Sequence, residues 1–324
     1  MKQLLIVGLT AALAFLGLTT TTAAQAAETS FISTWRTTNT SAGSSGASQV
    51  RLPLISGGTY NFTVDWGDGQ TDTITSYNQA QVTHTYGTSG DKTVTITGLV
   101  RGWRFANSGD RLKLTNISQW GPLQLGNDGG YFWGAANLQI SATDEPDLSL
   151  TDDLSNTFLN ASALTGSTLS DWNVSGVKKL VGTFRGATAF NGDISGWNTG
   201  QVTAMNSMFR GATSFDRDVS GWDVDQVTST SSMFRDATAF HRSLAGWTIT
   251  SLTDASLMFS GASMNRTNYD ATLQSWAGQT VKPAVEFDAG TSKYTTGAPA
   301  AARAVLVDTY DWTITDSGET AVPG

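Results

Sequence analysis

Trp172, Trp197, Trp222 and Trp247 stand 25 residues apart, and this spacing constrains the chain more than any other feature. Four further columns keep the same step: Phe184, Phe209, Phe234 and Phe259; Ala187, Ala212, Ala237 and Ala262; Phe190, Phe215 and Phe240; Ile194, Val219 and Leu244. Two looser units precede them at a step of 26, with Phe132 and Phe158 in the phenylalanine column and Leu138 and Leu164 in the next apolar one. A constant short period means that one unit cannot bury its apolar face alone, so neighbouring units must make a common core. Six units of 25–26 residues fill 116–267.

Within a unit, 202–212 carries apolar residues at offsets of three and four, which predicts a short helical arm ending near Gly211. The punctuated stretch 215–222 predicts a brief strand and a turn. Stacking such coils at about 4.8 Å places the strands in one parallel sheet. The units Met208-Phe209-Arg210-Gly211-Ala212-Thr213-Ser214-Phe215 and Phe190-Asn191-Gly192-Asp193-Ile194-Ser195-Gly196-Trp197 resemble the BspA-like leucine-rich repeat of bacterial surface proteins, the DUF285 type. Trp120-Gly121 with 144–149 resembles that family's entry unit, and 268–316 its closure. The chain departs from the pattern at Asp216 and His241, which replace Asn191, and at Asn265, which replaces the phenylalanine of its column. That last change marks the end of the array.

After it, Tyr269, Leu273 and Trp276 describe an amphipathic helix, and Pro299 opens a second apolar stretch to Tyr310. Residues 268–324 are therefore expected to cap the open end of the stack.

Residues 27–115 show period two instead. Tyr60, Phe62, Val64 and Trp66 alternate with polar residues, as do Val82, His84 and Tyr86, then Val94 and Ile96. Val64-Asp65-Trp66-Gly67-Asp68-Gly69, His84-Thr85-Tyr86 and 90–96 resemble the PKD family, which implies an immunoglobulin-like sandwich. Asp65, Asp68 and Asp72 lack EF-hand spacing and are expected to shape a hairpin turn, with His84 a packed sheet residue. The expected fold class is mixed β and α/β: an N-terminal immunoglobulin-like β-sandwich, then a leucine-rich-repeat-like solenoid with a helical and strand C-terminal cap.

Residues 1–26 read as a signal peptide: Lys2, an apolar run from Leu4 to Leu18, and a small-x-small site at Ala24-Gln25-Ala26. Export to the extracellular space or cell surface follows as an expectation, with no membrane insertion. A net charge of −8 without a basic run speaks against nucleic acid as a partner. No cysteine and two histidines leave little material for a metal site, and no cofactor motif is present.

Two chemistries remain to weigh. The tryptophan ladder offers a platform for sugar rings, yet each Trp lies three residues after a core aliphatic, so packing is the expected role. Asp193 and Asp218 recur in one column, but a glycosidase needs its two carboxyls in different environments. Turn capping accounts for them, and no catalytic residue is assigned. The expected function is adhesion or protein recognition by a secreted or surface-bound bacterial protein, with a host or matrix ligand; a polysaccharide- or ice-binding module is the alternative. Because 191, 216 and 241 vary within a fixed frame, as do 192, 217 and 242, the candidate ligand contacts are Arg217, His241 and Arg242.

Overall fold

Alternating apolar residues build the first sheet in the computed structural model, which describes residues 30–321; the expected signal segment lies outside the described residues. Its strands are β1 (Ser30–Arg36), β2 (Gln49–Arg51), β3 (Leu54–Asp65), β4 (Thr71–Ile74), β5 (Thr83–Thr85), β6 (Asp91–Trp103), β7 (Leu114–Gln119), β8 (Leu123–Gln124) and β9 (Gln139–Ile140). The order is β4-β3-β6-β1-β7-β9, with β8 on β6, and β2 pairs with β5 apart from it. Phe31 faces Ile96 across the antiparallel pair β1–β6, and Val64 faces Ile96 across β3–β6. Gly67 turns the chain after β3 at φ +77°, where a Cβ would collide with the Thr93 carbonyl.

The expected β-sandwich is not what forms. A sandwich needs two extended sheets face to face, whereas here one seven-stranded sheet is accompanied only by the three-residue strands β2 and β5. The buried side of the large sheet continues instead into the repeats. Phe31 packs edge-on against Trp103 with centroids 5.2 Å apart, and Trp120 packs against Phe132 at 5.8 Å and Trp172 at 5.4 Å. Strand β7 spans the junction and pairs with β9 in parallel, so the sheet itself runs into the first unit.

The leucine-rich-repeat-like solenoid also needs correction. Neither the helical arm nor the expected strand exists: turns run over 206–211, and 215–222 is irregular apart from a turn at 220–221. The repeats are joined by isolated parallel bridges, Asp153 to Lys179, Lys179 to Ala204, Ala204 to Ser229 and Ser229 to Asp254. The described residues contain two α-helices and no closed or solenoid sheet. The reason lies in the backbone. Leu180, Gly182, Phe184 and Gly186 donate their N–H groups to Ala204, Asn206, Met208 and Arg210, at 2.8–3.0 Å on the following coil. A helix would need those donors for its own turns and right-handed residues throughout. Here two residues per coil are left-handed: 182 and 186, 207 and 211, 232 and 236, 257 and 261. Glycine or Asp fills 186, 211, 236 and 261, where that conformation is tolerated.

Inside this stack of turn-rich coils the phenylalanines form a double file. Phe184 and Phe190, Phe209 and Phe215, and Phe234 and Phe240 stack pairwise at 3.9 Å, and each Phe209 neighbour in its column lies 5.6–5.7 Å away. The coil ends where the file does. Asn265 caps α1 (Arg266–Ala277) by accepting from the Asn268 N–H at 2.9 Å, and α1 buries Tyr269, Thr272, Leu273 and Trp276. Strands β10 (Glu286–Asp288) and β11 (Tyr294–Thr295), helix α2 (Ala298–Ala304), and strands β12 (Thr313–Thr315) and β13 (Glu319–Thr320) complete the chain. A π-helical turn over Val305–Thr309 follows α2. Ala255 bridges to Phe287 of β10, which closes the last coil.

Candidate recognition surface

The tryptophan column faces inward. Trp172, Trp197, Trp222 and Trp247 are at most 4% exposed, and three of them donate from Nε1 to the preceding coil: Trp197 to the Leu169 carbonyl at 2.9 Å, Trp222 to Ile194 at 3.0 Å and Trp247 to Val219 at 2.8 Å. Trp276 of α1 continues the pattern onto Leu244 at 3.2 Å. These rings present no flat platform to a sugar. They fix each coil to the one before it.

The repeated acids serve the turns. Asp193 Oδ1 accepts from the Ser195 N–H at 3.1 Å and hydroxyl at 2.7 Å, and Asp218 Oδ1 from the Ser220 N–H at 2.9 Å. The Ser195 hydroxyl and N–H hold the Asp193 carboxyl below the usual range, and the Ser220 N–H does the same for Asp218. Both shifts run the same way, opposite to what a catalytic acid requires. In the N-terminal region, Asp65 accepts from the Gly67 N–H at 2.8 Å, Asp72 from Trp66 Nε1 at 2.9 Å, and Asp68 pairs with His84 Nε2 at 2.8 Å. The His84 ring stacks on Trp66, with centroids 4.9 Å apart. Hydrogen bonding from His84 lowers the Asp68 carboxyl. Three carboxylates thus hold a hairpin together.

Arg217, His241 and Arg242 are exposed and neighbouring, but each is tied to its own stack. Arg217 Nε donates to the Asn191 carbonyl at 2.8 Å, and Arg242 donates to Asp216 Oδ1 and Oδ2 at 3.0 Å each. His241 Nδ1 lies 2.9 Å from the Ser263 carbonyl. The Arg242 charge is largely matched by Asp216.

Two features escaped the sequence reading. Lys113 and Asp110 have no exposed side-chain surface and lie 3.4 Å apart. Lys113 Nζ donates to the Ser45, Gly46 and Gln49 carbonyls at 2.9 Å, while Asp110 accepts from the Ser45 and Arg51 N–H groups at 2.7 Å. Burial lowers the Lys113 pKa against the opposing pull of Asp110. The second feature is a column of arginines, Arg185, Arg210 and Arg235, one position after the phenylalanines. Its 25-residue step is the sequence signal that marks it.

An open groove of about 510 Å³ lies beside the first repeats, lined by Asn127, Glu145, Asp147, Ser149, Asp152 and Asn173. Asp147 and Asp152 are engaged there, with Gln124 and Ser149 and with Asn127 and Lys178, respectively. Among the described residues no group of acids or histidines is arranged to hold a metal ion, and no helix is long and apolar enough to cross a membrane.

No curated protein and no solved structure matches the chain. Residues 152–282, which hold most of the repeat columns described above, match the family described as "Mycoplasma protein of unknown function, DUF285", and no match supports a PKD-like domain at 27–115.

Proposed function

We propose that the chain is an exported, surface-associated bacterial protein that recognises or adheres to extracellular ligands without catalysing a reaction on them. One observation carries this reading: the side chains with chemical potential in the repeats are absorbed by the frame, and the outward columns are left for contact. Each Trp in the ladder is buried, and the recurring Asp193 and Asp218 close their own turns. Outside, Thr203, Thr228 and Thr253 form an exposed file, and the column of half-buried Asn191 and Asp216 ends on the exposed His241. A constant interior with changing exterior residues suits recognition.

The test uses the whole mature chain, because strand β7 would be cut by division at residue 116. Binding to cells, matrix proteins and a glycan array is measured beside a hydrolase screen. Substituting Thr203, Thr228 and Thr253 is expected to remove binding with little change in melting temperature, whereas changes at Asp216, Arg217 and Arg242 also break inter-coil bonds and are judged on binding by the folded fraction. Turnover of a glycan or peptide that a single change such as Asp193→Asn abolishes would defeat the reading. Export has its own check: N-terminal sequencing of the secreted protein is expected to begin at Ala27, and a product retaining Met1 would contradict it.

A further inference from the structure

Elsewhere in the stack a basic side chain meets an acid of the coil before it. Lys178 Nζ reaches Asp152 Oδ2 at 3.0 Å, Lys179 Nζ reaches Asp153 Oδ2 at 3.3 Å, and Arg242 grips Asp216, in each case 26 residues back. The column Arg185, Arg210, Arg235 breaks this arrangement. The coil preceding Arg210 offers Arg185 and Gly186, and the coil preceding Arg235 offers Arg210 and Gly211. The one nearby acid is Asp236, itself 57% exposed and 3.6 Å from Arg235 Nε. Arg235 Nε is buried without any hydrogen-bond acceptor.

The backbone holds these three cations in line. Gly186 donates to the Arg210 carbonyl and Gly211 to the Arg235 carbonyl, both at 2.8 Å. The arginines therefore follow one another at the coil rise of about 4.8 Å. Burial, then the Arg185 and Arg235 charges, lower the Arg210 pKa, as expected of like charges in close file. Asp236 pairs with Arg235, while Arg185 and Arg210 have no salt-bridge partner among the described residues; guanidinium groups in such a file are a repulsive arrangement that an anionic ligand relieves.

We propose that the Arg185–Arg210–Arg235 column binds an acidic polysaccharide, with one carboxylate or sulfate engaged per coil. The equal spacing favours a linear polyanion over a folded acidic protein, since a flexible repeating chain can bring one anionic group to each arginine in turn. Nucleic acid fits poorly. The rings on these coils, Phe184, Phe209, Phe234, Trp197 and Trp222, are all buried, so no aromatic surface awaits a base. This proposal rests on the surface-recognition reading and gives that reading a ligand class.

The experiment is calorimetric titration of the full mature chain with polygalacturonate and with heparin fragments, at low and high salt. Neutral dextran, a single-stranded oligonucleotide and an acidic protein serve as comparisons. Binding to at least one acidic polysaccharide is expected, weakening with salt. Arg210→Gln is expected to lose about tenfold in affinity, as for one charge-assisted contact. The triple change to Gln should abolish binding with a melting temperature no lower than the parent's, and the triple change to Lys should restore part of the binding. No binding to either polysaccharide, unchanged affinity in the triple Gln variant, equal binding of dextran, or preference for the oligonucleotide or the acidic protein would overturn the proposal. If the triple Gln variant still adheres to cells or matrix proteins as the parent does, the column is refuted while the surface-recognition reading stands. A chain that binds nothing defeats both.

Discussion

Replacing Trp222 and Trp172 separately by phenylalanine measures what the indole hydrogen bonds contribute. Both rings are buried, at 2% and 3% exposure, and both lose a similar amount of ring, costing about 1–2 kcal/mol in transfer and cavity terms. They differ at Nε1. Trp222 donates to the Ile194 carbonyl at 3.0 Å, whereas Trp172 Nε1 is buried without a partner. Removing the Trp222 bond costs a further 0.5–1.5 kcal/mol or about that. No orphan acceptor is left, because the Ile194 carbonyl also accepts from the Trp197 N–H at 3.2 Å. Trp222→Phe is thus expected to destabilise by about 2–3 kcal/mol. At Trp172 the substitution relieves a buried unpaired donor, a gain of about 1–3 kcal/mol that offsets the lost ring and leaves a change near zero. Urea unfolding followed by circular dichroism and fluorescence, at constant m-value, reads the difference. Equal costs for the two variants, within about 0.5 kcal/mol, would refute the argument that the indole ladder adds stability beyond packing.

Further perturbations probe other parts of the frame. Leu257 sits at φ +55° with 42% of its surface exposed, so Leu257→Gly should stabilise by about 0.5–1 kcal/mol once the left-handed strain is removed; a lower melting temperature contradicts this. Asp110→Ala leaves the Lys113 ammonium buried without its counter-charge and should cost about 3–5 kcal/mol in urea unfolding, whereas a loss under 1 kcal/mol or so would mean the cluster is solvated. Asp68, Asp147, Asp193, Asp218 and Asp254 all have depressed carboxyl pKa values. Below the ordinary carboxylate value the unfolded chain therefore holds more protons, so stability should be level above about pH 5 and fall as pH drops through about 4 and below. Stability constant down to about pH 3 would sink that expectation.

The interior was legible from spacing, because a residue that recurs at every coil at one step must meet its own copies. The Phe and Trp columns are buried for that reason, and Asn265 ends the file because its side chain caps α1. What spacing cannot tell is where a backbone N–H points. Apolar offsets of three and four in 202–212 suit a helix, but they suit equally a chain of turns whose donors face the next coil. The left-handed residues that decide the matter include Ser207, Ser232 and Leu257, types that carry no such signal. At the N-terminal end the alternation marks strands β3 and β6, yet the second sheet is implied by the resemblance to the PKD family, and other groups cover the buried side of Phe31 and Trp35. Trp103, Trp120 and the first coils do so. The choice of Arg217 and Arg242 failed to weigh Asp216, which is separated from Arg242 by 26 residues in sequence and by 3.0 Å in space. Asp110 and Lys113, three apart in a polar stretch, carry no local signal of burial because their partners come from 45–51.

The period itself has a physical tolerance that an insertion can measure. In the ladder the acceptor is always the residue before the next phenylalanine: Phe132 donates to Thr157, Phe158 to Thr183, Phe184 to Met208 and Phe209 to Met233, at 2.8–2.9 Å. This relation survives in the 26-residue units as in the 25-residue ones, so their extra residue lies outside the ladder. Counting from the phenylalanine, Leu164 matches Phe190 at an offset of six, while Trp172 lies 14 residues on and Trp197 only 13. The extra residue therefore falls between Leu164 and Leu169, in the turn at Gly166, whose φ is +75°. A single glycine inserted after Asn191, in the equivalent irregular stretch outside the ladder, should cost no more than about 1 kcal/mol, because loop length is a weak entropic term. The same glycine inserted after Phe209 displaces the Gly211 donor from the Arg235 carbonyl and moves the left-handed residue out of place. Lost inter-coil bonds and orphaned donors then add to several kcal/mol. Similar melting temperatures for the two insertions would show that register between coils is held by side-chain packing alone.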